Sequence, residues 1–105
     1  PARDLDQRVL KAAGPGFRIA LDERGQTCTT ADLAKRFRAW DQDGTNEIQF
    51  LVGGPDGHSE TIRKEADWLW SLSPLTLQRD LALLVLMEQL YRVQSILSGS
   101  PYHRA

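Results

Sequence analysis

The chain has 105 residues, with 13 basic and 14 acidic side chains and a formal net charge of -1 at pH 7. This length suits a single domain, and the balanced charge excludes a global attraction to nucleic acid or to anionic membranes. Any nucleic-acid contact must therefore come from a local patch. The single cysteine, Cys28, excludes an internal disulfide and a multi-cysteine metal site.

The composition also predicts the cellular compartment in which the protein works. The polar residues 1–8 predict no secretory signal, and one cysteine without a nearby histidine fits a structural role in a reducing cytoplasm. The longest apolar run, residues 81–87, is far shorter than the ~20 residues that a membrane span needs. We expect a soluble, cytoplasmic protein that binds neither a membrane nor a metal.

The first half of the chain alternates helix and strand patterns. Residues 3–13 have apolar side chains at helical spacing, which predicts a short helix. Residues 17–21 predict a strand, and we expect residues 22–25 to form the turn that ends it. Thr29 starts a capping-box pattern, so a second helix should run from there to about Asp43. Its apolar face carries Leu33, Phe37 and Trp40.

A glycine-rich loop follows the next predicted strand. Residues 47–52 are a short apolar run, and residues 53–57 contain three glycines and a proline. Glycines let a ligand approach the backbone, and open α/β sheets bind ligands at the carboxyl ends of their strands. The loop is a candidate floor of a binding site. Taken alone, it is better explained as a tight turn that needs positive φ.

The second half continues the alternation. Ser59 is a candidate N-cap for a helix that ends near Ala66, residues 68–72 predict a third strand, and residues 78–97 predict the longest helix. Alternating helices and strands with short loops predict an α/β fold, in which a small parallel sheet is covered by helices.

Apolar side chains cover most of the circumference of the last predicted helix. Such a helix must be buried on two sides, one against its own sheet and the other most simply against a second copy of the chain. Glu88, Tyr91 and Arg92 interrupt this surface on adjacent turns. Without other information, their simplest explanation is an ion pair between Glu88 and Arg92 beside a packed tyrosine.

Several segments together resemble a known family. They are residues 21–25, 53–57, 70–77, 88–92 and 101–104, in order and with family-like spacing. They resemble the ribosomal RNA large subunit methyltransferase H family, a small bacterial branch of the SPOUT methyltransferases. The resemblance implies a trefoil-knotted α/β fold, and a homodimer formed through the C-terminal helix.

The resemblance also implies an activity. Such enzymes use S-adenosyl-L-methionine to methylate N3 of a pseudouridine in 23S rRNA of the assembled ribosome. Carried over by position, the cofactor-binding residues are Leu21, Gly53, Leu72, Ser73, Pro74, Leu75, Thr76 and Leu77. These residues follow the three predicted strands, so the resemblance and the strand pattern point to the same edge of the sheet.

Catalytic and RNA-binding candidates lie near the end of the chain. The catalytic candidates are Tyr91, Arg92 and His103, and among them histidine has the pKa that suits a base near neutral pH. Contacts with RNA are expected from Arg92, Tyr102 and Arg104.

The chain is expected to be a single SPOUT methyltransferase domain over residues 1–105. It is short at its N-terminus relative to the family, whose members usually start with a further strand, helix and strand. The missing strand would lie beside residues 47–52. One alternative is therefore a catalytically inactive minimal knotted core that folds and dimerises without methylating RNA. Another, a phosphate-binding α/β module, is disfavoured because neither the Walker nor the dinucleotide glycine pattern is matched.

Overall fold

A computed structural model describes residues 16–53 and 58–99. These residues form three strands and three helices that alternate along the chain, which confirms the α/β class. The first predicted helix, residues 3–13, lies outside them. In chain order the elements are β1 (Phe17–Gln26), α1 (Thr30–Gln42), β2 (Ile48–Val52), α2 (Glu60–Glu65), β3 (Trp68–Trp70) and α3 (Arg79–Ser98).

The three strands form one parallel sheet in the order β2-β1-β3, so β1 is the central strand. Leu21 of β1 lies opposite Val52 of β2 and Trp70 of β3. Val52 and Trp70 are the last residues of their strands. Because parallel strands run in the same direction, the segments that follow β2 and β3 leave the sheet at one common edge, beside the distal part of β1.

The distal part of β1 differs from the prediction. Residues 22–25 were expected to form a turn, but the strand continues to Gln26. Its pairing with β3 is irregular, since both Leu21 and Gln26 lie opposite Trp70, and the backbone N–H of Ser71 donates to the carbonyl oxygen of Gln26 at 2.8 Å. The turn prediction was wrong because it weighed only local residue preferences. After an irregularity between Leu21 and Gln26, strand β1 pairs with β3 again at Gln26.

Capping side chains set the helix starts. Thr29 Oγ1 accepts a hydrogen bond from the backbone N–H of Asp32 (3.1 Å) at the start of α1, and Ser59 Oγ accepts one from Ile62 (3.3 Å) at the start of α2. Both predicted N-caps are confirmed. Helix α3 ends at Gly99, whose φ of 75° lies in the left-handed region that favours glycine. Strand β3 is shorter than the predicted strand over residues 68–72.

Helices cover both faces of the sheet. Ile19 packs on one face in a cluster with Leu33 of α1 and Leu86 of α3, and its neighbour Ala20 packs on the other face with Ile62 of α2. The chain passes from β1 to β2 in one direction and from β2 back across β1 to β3 in the other. Right-handed connections that run in opposite directions place their helices on opposite faces, as observed.

Aromatic side chains fill the layer beneath α1. The ring centroid of Trp40 lies 4.8 Å from that of Phe17, 5.0 Å from Phe37 and 5.9 Å from Trp68. Phe37 and Trp40 therefore lie on the core-facing side of α1, as predicted. Cys28 packs against the same cluster, and burial raises the pKa of its thiol. A partly buried thiol of raised pKa is a poor nucleophile, which supports the structural role expected for Cys28.

Replacing Gly25 by alanine should disturb the pairing of β1 with β3. A Cβ at this position would lie 2.4 Å from the carbonyl oxygen of Leu69, so backbone atoms would have to shift. We expect Gly25→Ala to lower the free energy of unfolding by about 1–3 kcal/mol, as overpacking usually does, in urea titrations followed by circular dichroism. Gly44→Asn is the control for added bulk: a Cβ there meets nothing within 4 Å, and asparagine is among the residues that best tolerate its positive φ of 81°, so its loss of stability should be smaller. An unchanged midpoint for Gly25→Ala would contradict the close approach.

Candidate functional site

A cavity of about 200 Å³ opens at the edge where the strands end. Its walls come from β1, from the residues after β2, from the 72–77 loop and from the start of α3. Pro74 belongs to that loop but is not among the lining residues. Seven of the eight residues predicted to bind the cofactor line the cavity: Leu21, Gly53, Leu72, Ser73, Leu75, Thr76 and Leu77. The structure brings this set together, and its ligand stays a prediction.

Serine side chains hold the 72–77 loop in shape. Ser71 is buried, and its hydroxyl donates to the carbonyl oxygen of Ser73 at 2.8 Å. The hydroxyl of Ser73 in turn accepts from the backbone N–H of Leu75 at 3.0 Å. Hydrogen bonds of this kind satisfy backbone groups that no helix or sheet ladder pairs. The loop is therefore ordered by its own side chains.

Charged and apolar groups share the cavity wall. Thr76 Oγ1 donates to Glu23 Oε2 at 2.6 Å, which joins the 72–77 loop to β1 across the cavity. Arg79, at the first turn of α3, adds a positive charge to the same wall. Leu75 is 71% exposed at the rim. An exposed leucine beside a cavity gains stability when it covers a flat apolar ring.

A buried carboxylate lies at the same edge. The side chain of Asp22 is fully buried and forms a salt bridge with Arg24, with Arg24 Nη2 at 2.8 Å from Asp22 Oδ2. Asp22 Oδ1 also accepts from the backbone N–H and Nε of Arg24, both at 2.9 Å, and Oδ2 accepts from the backbone N–H of His58 at 3.2 Å. The Arg24 side chain, with the backbone donors, holds the pKa of Asp22 far below its usual range against the opposing effect of burial.

Sequence reasoning missed Asp22, Arg24 and His58 as parts of the site. Asp22 and Arg24 were placed in a turn, where charged residues are ordinary. The available signal was their position: two opposite charges, two residues apart, directly after the buried run of β1. His58 gave no signal, because its contact with Asp22 joins segments that are 36 residues apart in sequence.

Comparison with known proteins identifies the family. A family model described as "Predicted SPOUT methyltransferase" matches residues 2–103. The chain belongs to the SPOUT methyltransferase family. The parallel sheet with its cavity at the carboxyl edge is thus the sheet of a SPOUT methyltransferase.

Relatives of this SPOUT methyltransferase share one name, "Ribosomal RNA large subunit methyltransferase H". The protein from Thermus thermophilus is 58% identical over 98 residues, which cover 93% of this chain and 69% of the relative. Those from Deinococcus radiodurans and Methylobacillus flagellatus are 47% and 44% identical, over 67% and 63% of their length. The predicted resemblance is confirmed. The chain spans about two thirds of the length of these relatives.

Within one chain, the catalytic candidates on α3 lie away from the cavity. Tyr91 and Arg92 follow Ala82, which lines the cavity, by about ten residues, or roughly 15 Å along the helix axis. Arg92 Nε donates to Glu88 Oε1 at 2.7 Å, which confirms the expected ion pair. Tyr91 is 55% exposed in the single chain, so packing of this tyrosine stays a prediction that depends on a second copy. The other candidates lie outside the described residues: Tyr102, His103 and Arg104.

Helix α3 divides into a buried and an exposed apolar side. Leu86 and Val93 belong to the core. The exposed side carries large apolar residues at intervals of three and four, which we call the α3 stripe: Leu81 (46% exposed), Leu84 (65%), Met87 (62%) and Tyr91 (55%). One chain therefore buries only one of the two sides for which burial was predicted.

Two kinds of feature are absent from residues 16–53 and 58–99. No group of three histidine, cysteine, aspartate or glutamate side chains there is arranged to hold a metal ion. Nor is any helix in these ranges long and apolar enough to cross a membrane.

The buried Asp22 carboxylate should make stability depend on pH. The pKa of Asp22 is lower in the folded chain than in the unfolded chain, where aspartate has a pKa of ~3.9. The contribution of Asp22 to the free energy of unfolding is therefore complete above that pH and is lost as the pH falls. We expect Asp22→Asn to be less stable than wild type by a constant margin above about pH 5, and the margin to narrow below about pH 4. Urea denaturation across this range measures it.

Glu60→Gln is the control for this pH dependence. Glu60 forms an exposed ion pair with Lys64, and exposed pairs contribute little to stability. A margin between wild type and Asp22→Asn that stays the same down to pH 2 would show that folding does not lower the pKa of Asp22.

Proposed function

We propose that this chain is an S-adenosyl-L-methionine-dependent methyltransferase that acts on N3 of a pseudouridine in 23S rRNA of the assembled ribosome. The observation that carries the proposal is the cavity at the common edge of the three strands, lined by Leu21, by Gly53 and by the 72–77 loop. The name of the relatives supports a large-subunit rRNA substrate, and the cofactor and the target atom come from the family resemblance.

The donor set of the cavity fits this cofactor. Backbone N–H and C=O groups of the 72–77 loop can form hydrogen bonds with the adenine edge, while leucine side chains such as Leu72 and Leu75 cover the faces of the ring. Glu23 and Arg79 place opposite charges on the wall, which suits the ammonium and carboxylate of a zwitterionic amino-acid end. Gly53 adds no side chain that would fill the space.

The chain's contribution to the chemistry is alignment and proton transfer. S-adenosyl-L-methionine supplies an electrophilic methyl group when bound. The protein must hold the pseudouridine with N3 in line with that group and accept the N3 proton. Arginine does not lose its proton in proteins, so Arg92 is suited to hold a phosphate or a developing negative charge rather than to act as the base. That leaves Tyr91 and His103 as candidates for proton transfer.

A second copy of the chain would complete the site. The α3 stripe is an exposed apolar surface of the kind that marks protein interfaces. Packing two copies about a two-fold axis would bury both stripes, and would bring Tyr91 and Arg92 of one subunit towards the cavity of the other. The homodimer, the trefoil knot and the cytoplasmic location belong to this proposal, as does the role of Tyr102 and Arg104 in holding RNA.

Calorimetric titration with S-adenosyl-L-methionine is the first test. We expect micromolar binding by the wild type and none by Gly53→Trp, because the indole would occupy the space that the missing side chain leaves open. Lys64→Trp is the control, since it adds the same bulk on the exposed side of α2 and should bind as the wild type does.

Methyl transfer to purified ribosomes separates the two candidate functions. Incorporation at the pseudouridine, lost in Gly53→Trp, supports the enzyme. Cofactor binding without any transfer would favour the inactive minimal core, and a folded wild type that binds no cofactor would falsify the proposal.

The dimer has its own test. Leu84→Glu combined with Met87→Glu should raise the dimer dissociation constant on the order of 100-fold or more, because two apolar side chains would be replaced by charges at the interface. Light scattering coupled to gel filtration measures the mass. Lys35→Glu, on the exposed side of α1, is the control and should leave the dimer intact. A wild type that stays monomeric at high micromolar concentration would contradict the dimer and the shared site.

A further inference from the structure

One set of side chains joins β1 to the segment that enters α2. Asp22 Oδ2 accepts from the backbone N–H of His58 at 3.2 Å, and Arg24 Nη2 donates to the backbone carbonyl of the same residue at 2.9 Å. Both backbone groups of His58 are therefore held from the neighbouring strand. Since Asp22 and Arg24 also bind each other, the three residues form one unit, which we call the β1 clamp.

The ring of His58 extends this unit to β2. His58 Nε2 lies 2.8 Å from the carbonyl oxygen of Leu51. A carbonyl oxygen only accepts, so this geometry requires the hydrogen on Nε2. The ring of His58 thus holds β2 at Leu51, two residues before Gly53, which lines the cavity.

A gain in folding stability does not by itself explain why the Asp22 carboxylate is buried. Burying a carboxylate carries a desolvation cost, and replacing buried ion pairs by apolar residues is often neutral or stabilising. Hydrogen bonds to a buried charge, in contrast, restrict the positions that their partners can occupy. The side chain of Asp22 is fully buried and accepts four hydrogen bonds, three from Arg24 and one from His58. Its oxygens are committed to donors within the chain rather than to a ligand.

We propose that the β1 clamp fixes the backbone of His58 and, through its ring, the end of β2 at Leu51, and so sets the affinity of the cavity for its cofactor through the position of Gly53. Asp22 and His58 are positioning residues in this scheme. Asp22 and Arg24 also line the cavity, whereas His58 does not, so an effect of the His58 ring on binding must act through the backbone that it holds. The part of the inference that concerns affinity rests on the proposed function, and the part that concerns conformation does not.

Hydrogen exchange tests the conformational part without any cofactor. In Asp22→Asn we expect the amide of His58 to exchange at least about tenfold faster than in wild type, because its acceptor is weakened, while the amides of residues 19–21 keep their protection. Lys64→Gln, which removes only an exposed ion pair, is the control. Equal acceleration throughout the sheet would show a merely structural role, and no acceleration at His58 would show that the clamp does not hold it. Either result overturns the proposal.

Binding and kinetics test the affinity part. Asp22→Asn should weaken cofactor binding about tenfold and raise the KM for the cofactor, with kcat at saturation within about twofold of wild type. His58→Ala should weaken binding by a smaller factor, and His58→Gln should restore it, since the glutamine amide can donate to Leu51 in place of the ring. Wild-type affinity in both Asp22→Asn and His58→Ala overturns the affinity part. A wild type that binds no cofactor while its His58 amide is protected overturns the proposed function and leaves the conformational result standing.

Discussion

The parallel pairing of β1 with both of its neighbours is the constraint on which the rest of the structure depends. It brings the ends of β2 and β3 to one edge, on either side of the distal part of β1. Each connection that leaves this edge must start beside the others, whatever its own sequence. The cavity follows from that geometry, because the segments after β2 and β3 diverge from the distal part of β1 and leave space between them.

Side chains, more than regular backbone structure, give this edge its shape. Ser71 and Ser73 order the 72–77 loop, Thr76 reaches across to Glu23, and the β1 clamp holds the entry to α2. Each of these bonds involves at least one segment outside the helices and strands, where no helix or sheet ladder pairs the backbone groups. Polar residues thus hold the segments around the cavity in place, as apolar packing holds the helices on the two faces of the sheet.

Helix α3 links the fold of one chain to the proposed dimer. Its core side is held by the sheet and α1, whereas the α3 stripe leaves apolar side chains in water. Exposure of such a stripe is unfavourable for an isolated chain, and its burial against a copy would also bring the Glu88–Arg92 pair to the interface. The same surface would then provide both the apolar contacts that stabilise the proposed dimer and the residues proposed to complete the cavity of the other subunit.

The sequence by itself determined the order and type of the elements, the two N-caps at Thr29 and Ser59, and the edge of the sheet where the site lies. These features depend on local periodicity, capping chemistry and strand direction, all of which can be read along the chain. Family resemblance supplied most of the residues that line the cavity. Only the tertiary structure decided that residues 22–25 stay in the sheet, that Asp22 is buried and holds His58, and that Tyr91 is exposed. Each of these depends on contacts between segments that are distant in sequence, and local preferences carry no information about such contacts.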